Sequence, residues 1–247
     1  MKYLKFTLIG AVGVVALMIA VPDASALDVA IDTTNHGSGP LELAAILTLI
    51  TLAPAVLIML TSFTRIVIVL SLLRQALGLQ QTPPNIVITG LALFLTTLVM
   101  VPTWNRIQAS AVDPYMAGKL APKDAVANAQ GPLRDFMLRQ TRVQDLDMAR
   151  GLLARSNITL PSGKPEDLPF HALVLAFVSS ELTSAFRVGF LMFLPFLVID
   201  LVVSAVLMGL GMFMLPPSVI TIPLKLLIFV LASGWPLLLG NLGASFA

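Results

Sequence analysis

The stretch VGFLMFLPFLVIDLVVSAVLMGLGMFMLPP, residues 188–217, decides what kind of fold this chain can adopt. It is almost entirely apolar, and Asp200 is its one charged residue. The run from Val188 to Met214 is longer than the roughly 20 residues that a helix needs to cross a bilayer. Two consecutive prolines then follow, and such a pair favours the end of a helix. The stretch predicts a membrane-spanning helix that ends in a short break.

The composition of the whole chain agrees with this prediction. Of 247 residues, 57% are hydrophobic and 11% are charged, whereas about a quarter are charged in an ordinary globular protein. The net charge of +2 is too small and too dispersed to indicate a nucleic-acid partner. The chain has no cysteine, which excludes disulfides and thiolate metal sites. We therefore predict an all-α membrane protein.

Hydropathy divides the rest of the chain into helical hairpins around a charged region. Residues 41–104 form a first hairpin of two predicted spans, and residues 105–169, which hold most of the charges, form a periplasmic helical region. Residues 132–156 within it have the spacing of one amphipathic helix. Residues 170–247 contain a helix packed on protein and a second hairpin. The four predicted spans are 41–73, 86–104, 188–214 and 219–239.

The N-terminal 26 residues have the pattern of a signal peptide. Lys2 and Lys5 precede an apolar stretch, and Ala24-Ser25-Ala26 is a small-residue cleavage site. We expect cleavage after Ala26 and a periplasmic linker over residues 27–40; an uncleaved anchor is the alternative. We therefore predict a multi-pass protein of the bacterial inner membrane.

Several stretches together resemble the flagellar biosynthetic protein FliP family. They are MLTSFTRIVIVLSLLRQALG (59–78), PPNIVITGLALFLT (83–96), PLRDFMLRQTR (132–142), SELTSAFRVGFLMFLPFLVIDLVVSAVLMGLGMFMLPP (180–217) and PLKLLIFVLASGW (223–235). The resemblance implies a core subunit of the flagellar type III export gate in the basal body, which passes unfolded rod, hook and filament proteins. It also implies a helical oligomeric pore of several copies, assembled with two smaller membrane proteins (the Q and R types) and the large export-gate proteins. Injectisome relatives occupy the equivalent place in virulence secretion systems.

The resemblance assigns a role to the loop after the third predicted span. The family places a methionine-rich loop at the narrowest point of the pore, which corresponds to Met212, Phe213 and Met214. Methionine is flexible and polarizable, so a ring of such side chains could close and still adapt to a passing polypeptide. Phe213 departs from the methionine usual in the family. The alternative is that these residues simply pack at a helix end.

Glycines and prolines flank this predicted gate. We expect Gly209 and Gly211 to loosen the helix and Pro216 and Pro217 to end it, which would aim the loop inward.

Charged residues inside the apolar runs are the remaining candidates. Each of Glu181 and Arg187 would cost about 2.5–3.5 kcal/mol at a bilayer centre. The family usually has a lysine at the position of Thr183 and a glutamine at the position of Arg187. The basic charge of this chain therefore lies one helical turn further along than is usual in the family. We predict that Glu181 of one copy pairs with Arg187 of another; exposure at the rim is the alternative.

Three further charges are predicted to make helix or subunit contacts. Asp200 is interpreted as a structural contact between helices, and a proton relay is less favoured because no second titratable group is near in sequence. Arg65 and Lys225 are interpreted as interface or snorkelling charges.

The sequence holds no pattern of an enzyme or of a cofactor site. It contains no G-x-S-x-G, H-E-x-x-H or P-loop motif, and His36 and His171 lie far apart. We therefore predict no catalytic residue, no metal and no cofactor. A self-sufficient transporter or ion channel remains as an alternative, although no internal repeat of the kind found in transporters is visible.

Overall fold

The computed structural model describes Thr48, Thr51 and residues 58–156 and 164–246. The predicted signal peptide, the linker 27–40 and, apart from Thr48 and Thr51, residues 41–57 of the first predicted span lie outside these residues. Within the described ranges the regular structure is helical, with no strand.

The described helices follow one another with short connections. Their bounds are α1 Phe63–Ala76, α2 Asn85–Ile107, α3 Asp113–Met116, α4 Pro122–Gln140, α5 Val143–Arg155, α6 Phe170–Gly209, α7 Ser218–Leu231 and α8 Gly234–Ala244. A π-helical turn, Gln108–Val112, joins α2 to α3, and a 3₁₀ turn, Pro165–Asp167, precedes α6.

Two of these helical stretches are long and apolar enough to cross a membrane. They are Asn85–Met116 and Phe170–Gly209, and α7 with α8 adds a third if that bent pair counts as one span. The helix packed on protein and the third predicted span as far as Gly209 are thus one continuous helix of 40 residues, about 60 Å long, and residues 210–214 of that span lie beyond it. Helix α1, with 14 residues, reaches about 21 Å and is shorter than a bilayer core.

Two predicted helices are divided in the structure. Residues 132–156 form parts of α4 and α5, which are separated by extended backbone at Thr141 and Arg142. The predicted final span, 219–239, divides into α7 and α8, which meet at 65°. Ser233 between them has a left-handed backbone with φ of +50°.

The chain divides into two compact units, and one of them contains Met100–Ser180. Its core packs α4 and α5 on the first turns of α6, and the Phe136 and Phe177 rings meet edge to face at 5.8 Å. At the α4–α5 break, the Arg142 N–H donates to the Ser180 hydroxyl at 3.0 Å. The predicted helical region 105–169 therefore extends into α6.

The other unit contains Ser62–Val99 and Glu181–Ala247. Helix α6 approaches α1 closely, since a Cβ on Gly189 would lie 2.2 Å from Leu72. The α7–α8 pair runs antiparallel to α1, because Ile222 lies beside Gly78 at the end of α1, whereas residues beyond α8 contact the start of α1. The core of this unit is made of buried apolar side chains: Phe63, Ile66, Val69, Leu73, Ala92, Phe196, Phe229 and Leu242.

Candidate functional site

The loop between α6 and α7, residues 210–217, carries the three predicted gate residues. Gly211 adopts a left-handed backbone with φ of +73°. The N–H groups of Gly211 and Met212 donate to the carbonyls of Met208 and Leu207 at 3.1 and 3.0 Å. This is a Schellman motif, in which a glycine at the left-handed position stops the helix and satisfies its last carbonyls.

The prolines of this loop have a different role from the one expected. Pro216 and Pro217 do not end α6, which stops earlier at Gly209. Pro217 is the N-cap of α7, and its carbonyl accepts the Thr221 N–H at 2.9 Å. Proline suits the start of a helix because its fixed φ is already helical and its missing N–H is not needed there.

The side chains of the loop extend away from the core of their unit. Met212 is 44% exposed, Phe213 77% and Met214 97%. The interpretation that these residues pack at a helix end is therefore not supported within this chain. They form a flexible apolar surface with an aromatic ring at its centre.

Glu181 has a partner that the sequence did not suggest. The Arg65 Nη2 and Nε groups donate to its two carboxylate oxygens at 2.5 and 2.9 Å. Glu181 is 0% exposed, and Arg65 is buried as well. The predicted pairing of Glu181 with Arg187 of another copy is thus replaced by a bidentate pair within the chain, which joins α1 to α6.

Arg65 also contacts the residues that follow α8. Its Nη1 group donates to the carbonyl and the hydroxyl of Ser245 at 3.4 and 3.3 Å, and its guanidinium lies 4.0 Å from the centre of the Phe246 ring. Arg65 therefore does not snorkel, and it connects three helices of its unit. No sequence pattern indicated Ser245 or Phe246.

Asp200 and Lys225 form a second ion pair in the same unit. The Lys225 ammonium donates to an Asp200 carboxylate oxygen at 2.6 Å and to the Ala76 carbonyl at 3.1 Å. Lys225 is buried, which excludes the snorkelling interpretation, whereas the Asp200 side chain is 38% exposed. The geometry is that of the predicted contact between helices.

Arg187 lies on the surface of α6 as an exposed residue. None of the ion pairs found among the described residues includes it. In the single chain the structure does not bring it together with Glu181.

An apolar pocket of about 400 Å³, open to the surface, lies in the unit that contains Ser62–Val99 and Glu181–Ala247. It lies between α6 and the bend that joins α7 to α8. Apart from Asn241, its lining is made of apolar side chains and Gly234: Leu73, Val188, Met192, Pro195, Phe196, Ile199, Ile228, Phe229, Ala232, Leu237 and Leu238.

Metal ligation has no basis in the part of the chain that the structure describes. No group of three or more histidine, cysteine, aspartate or glutamate side chains there could hold an ion. Within the apolar helices Arg65 pairs with Glu181 and Lys225 with Asp200, and exposed apolar residues lie along α2, α6 and α7 and in the loop after α6. These features define a helical integral membrane protein whose internal charges hold helices together.

Comparison with known proteins identifies the family. A sequence profile of the FliP family matches residues 46–242, and the chain belongs to the FliP family. The flagellar biosynthetic protein FliP of Pectobacterium carotovorum subsp. carotovorum is 51% identical over 201 residues, which cover 81% of this chain and 76% of the relative. The protein of the same name from Bacillus subtilis is 44% identical over 85% of this chain and 93% of the relative. The one from Caulobacter vibrioides is 44% identical over 94% and 88%.

Proposed function

We propose that this chain, a FliP family member and therefore a component of flagellar protein export, forms the pore of the export gate. Several copies assemble with the two smaller gate proteins and the large export-gate proteins, and unfolded rod, hook and filament proteins pass through the centre. The chain itself carries out no catalysis and provides the wall and the constriction of the channel.

The observation that carries the proposal is the exposed loop at the end of α6. Met212, Phe213 and Met214 lie outside the core of their own unit, although such side chains normally favour burial. Copies arranged around an axis would bring these side chains into one apolar ring. A ring of this kind stops ions by dewetting, while the methionines rearrange around a polypeptide.

The remaining exposed apolar surface supports assembly. Side chains on α6 such as Phe190 and Leu201, and Phe94 on α2, are more than half exposed. Large apolar side chains exposed along whole helices must be covered by lipid or by other subunits.

Assembly is tested by purifying the tagged full chain in mild detergent from cells that express its export operon. We expect a large homo-oligomer with two small hydrophobic partners, and the identity of the partners distinguishes a flagellum from an injectisome. A monomer or dimer that binds a small solute would instead indicate the self-sufficient transporter.

The gate is tested by replacing Met212, Phe213 and Met214 together with glycine. Overproduction of the assembled variant should make cells leak ions. The matched control is Met212→Leu with Met214→Leu, which keeps apolar bulk and should stay tight. If the glycine variant assembles and remains tight to ions, the loop is not the constriction.

A further inference from the structure

Helix α8 is constrained at both of its ends. At its start the backbone turns at Ser233 and Gly234, where α7 and α8 meet at 65°. Beyond its end, Ser245 and Phe246 contact Arg65 on α1. We propose that α8 is a hinged arm, which pivots at Ser233 and Gly234 and is latched to α1 by Ser245 and Phe246.

The hinge has a backbone that can change conformation locally. Ser233 occupies the left-handed region with φ of +50°, which is strained for a residue with a side chain. A Cβ on Gly234 would lie 2.2 Å from the Phe229 ring, so the close approach at the bend needs glycine. Because Ser233 lies between the two helices, rotation about its backbone would move α8 without unwinding either helix.

The latch consists of three contacts to one guanidinium. Arg65 donates to the carbonyl and the hydroxyl of Ser245, and the Phe246 ring lies against its face at 4.0 Å. The negative end of the α8 dipole points to the same cation. Arg65 is itself fixed by Glu181, so the latch ties α8 to the α1–α6 pair.

Between hinge and latch, α8 borders the apolar pocket. Leu237, Leu238 and Asn241 of α8 line it opposite Met192 and Phe196 of α6. This pocket of about 400 Å³ is open to the surface, and it separates part of α8 from the facing residues of α6. Packing of α8 is therefore incomplete beside the pocket, whereas Leu242, close to the latch, is buried in the core, so the latch lies where α8 is held against the rest of the unit.

The absence of cysteine from the chain allows a direct test by thiol labelling. Leu242→Cys reports on the arm near the latch, since Leu242 is 3% exposed. Ile66→Cys reports on the core of α1, where Ile66 is 0% exposed. Each reporter is placed in the full chain in detergent, and its maleimide labelling rate is measured with and without Phe246→Ala.

We expect Phe246→Ala to raise the labelling rate at position 242 by about tenfold, a factor between those for an exposed and for a fully desolvated cation–π contact, since Phe246 is half-buried. The rate at position 66 should stay unchanged. Phe246→Trp keeps an aromatic face and should retain protection. Phe246→Leu keeps apolar volume but has no aromatic face. It replaces Phe246→Ala as the test variant if the alanine variant does not fold. Phe94→Ala, at an exposed phenylalanine of the same unit, should affect neither rate.

Two results would overturn the hinged arm. Unchanged labelling at position 242 in Phe246→Ala or Phe246→Leu would mean that no latch exists. An equal rise at positions 242 and 66 would mean that Phe246 stabilises the whole unit rather than the position of α8.

Discussion

Removal of the Glu181 carboxylate should destabilise the protein strongly, because it leaves Arg65 as a buried charge without its bidentate partner. Both side chains are buried, at 0% exposure for Glu181 and 8% for Arg65. Breaking a buried pair from one side costs about 3–5 kcal/mol. For a chain of this size that corresponds to a fall in Tm of about 6–20 °C. We therefore expect Glu181→Ala to unfold far below the unmodified protein.

The double replacement distinguishes an unpaired charge from a simple loss of packing. Arg65→Met combined with Glu181→Leu removes both charges and keeps apolar volume, and substitutions of this kind are often neutral or stabilising. The double variant should therefore recover most of the stability that Glu181→Ala loses. Arg187→Ala on the same helix removes an exposed arginine and should change stability by less than about 0.5 kcal/mol.

Thermal unfolding of the purified full chain in detergent, followed by circular dichroism, measures these differences. A loss below about 1 kcal/mol in Glu181→Ala would refute the reasoning, because it would mean that water reaches Arg65. A double variant less stable than Glu181→Ala would also refute the reasoning. The loss of stability would then come from lost contacts and not from the unpaired charge.

The same assay checks two glycine substitutions. Gly234→Ala should cost about 1–3 kcal/mol, because its Cβ would lie 2.2 Å from the buried ring of Phe229; an unchanged Tm would contradict the close approach at the bend between α7 and α8. Gly211→Ala should lower the free energy of unfolding by about 1–2 kcal/mol, since φ at this position is +73°. Gly209 lies in the last turn of α6 with open space around it. Gly209→Ala should therefore raise the free energy of unfolding by about 0.4–1 kcal/mol. Equal effects at the two positions would contradict the Schellman end of α6.

Hydropathy and composition predict the helices better than the points at which they end. The second predicted span, 86–104, lies within α2, and the third, 188–214, is helical as far as Gly209 of α6, because long apolar runs leave few alternatives to a helix. The break between α4 and α5 could not be predicted from the spacing of apolar residues. Apolar spacing continues across it, and the extended backbone at Thr141 is supported by a tertiary contact, the donation from the Arg142 N–H to Ser180.

The partners of the charged residues could not be predicted from spacing along the chain. Glu181 and Arg187 are close in sequence, but Glu181 pairs with Arg65, which is 116 residues away. The partner of Asp200 is 25 residues away, across the loop. What the sequence does indicate is that a charge inside an apolar run needs a partner; its identity depends on how the helices pack.

The two ion pairs explain how an apolar bundle can adopt one arrangement. Apolar side chains lie on every side of α6, so burial alone favours no particular face, and in a membrane apolar contact gives little preference for protein over lipid. A buried cation can be satisfied only where its acceptors lie. Arg65 therefore fixes the register of α1 against α6 and α8, and Lys225 fixes that of α7 against α6 and the end of α1. Because both α6 and α7 are fixed in this way, the loop between them, with Met212 to Met214, is presented from a defined position although its own side chains make few contacts.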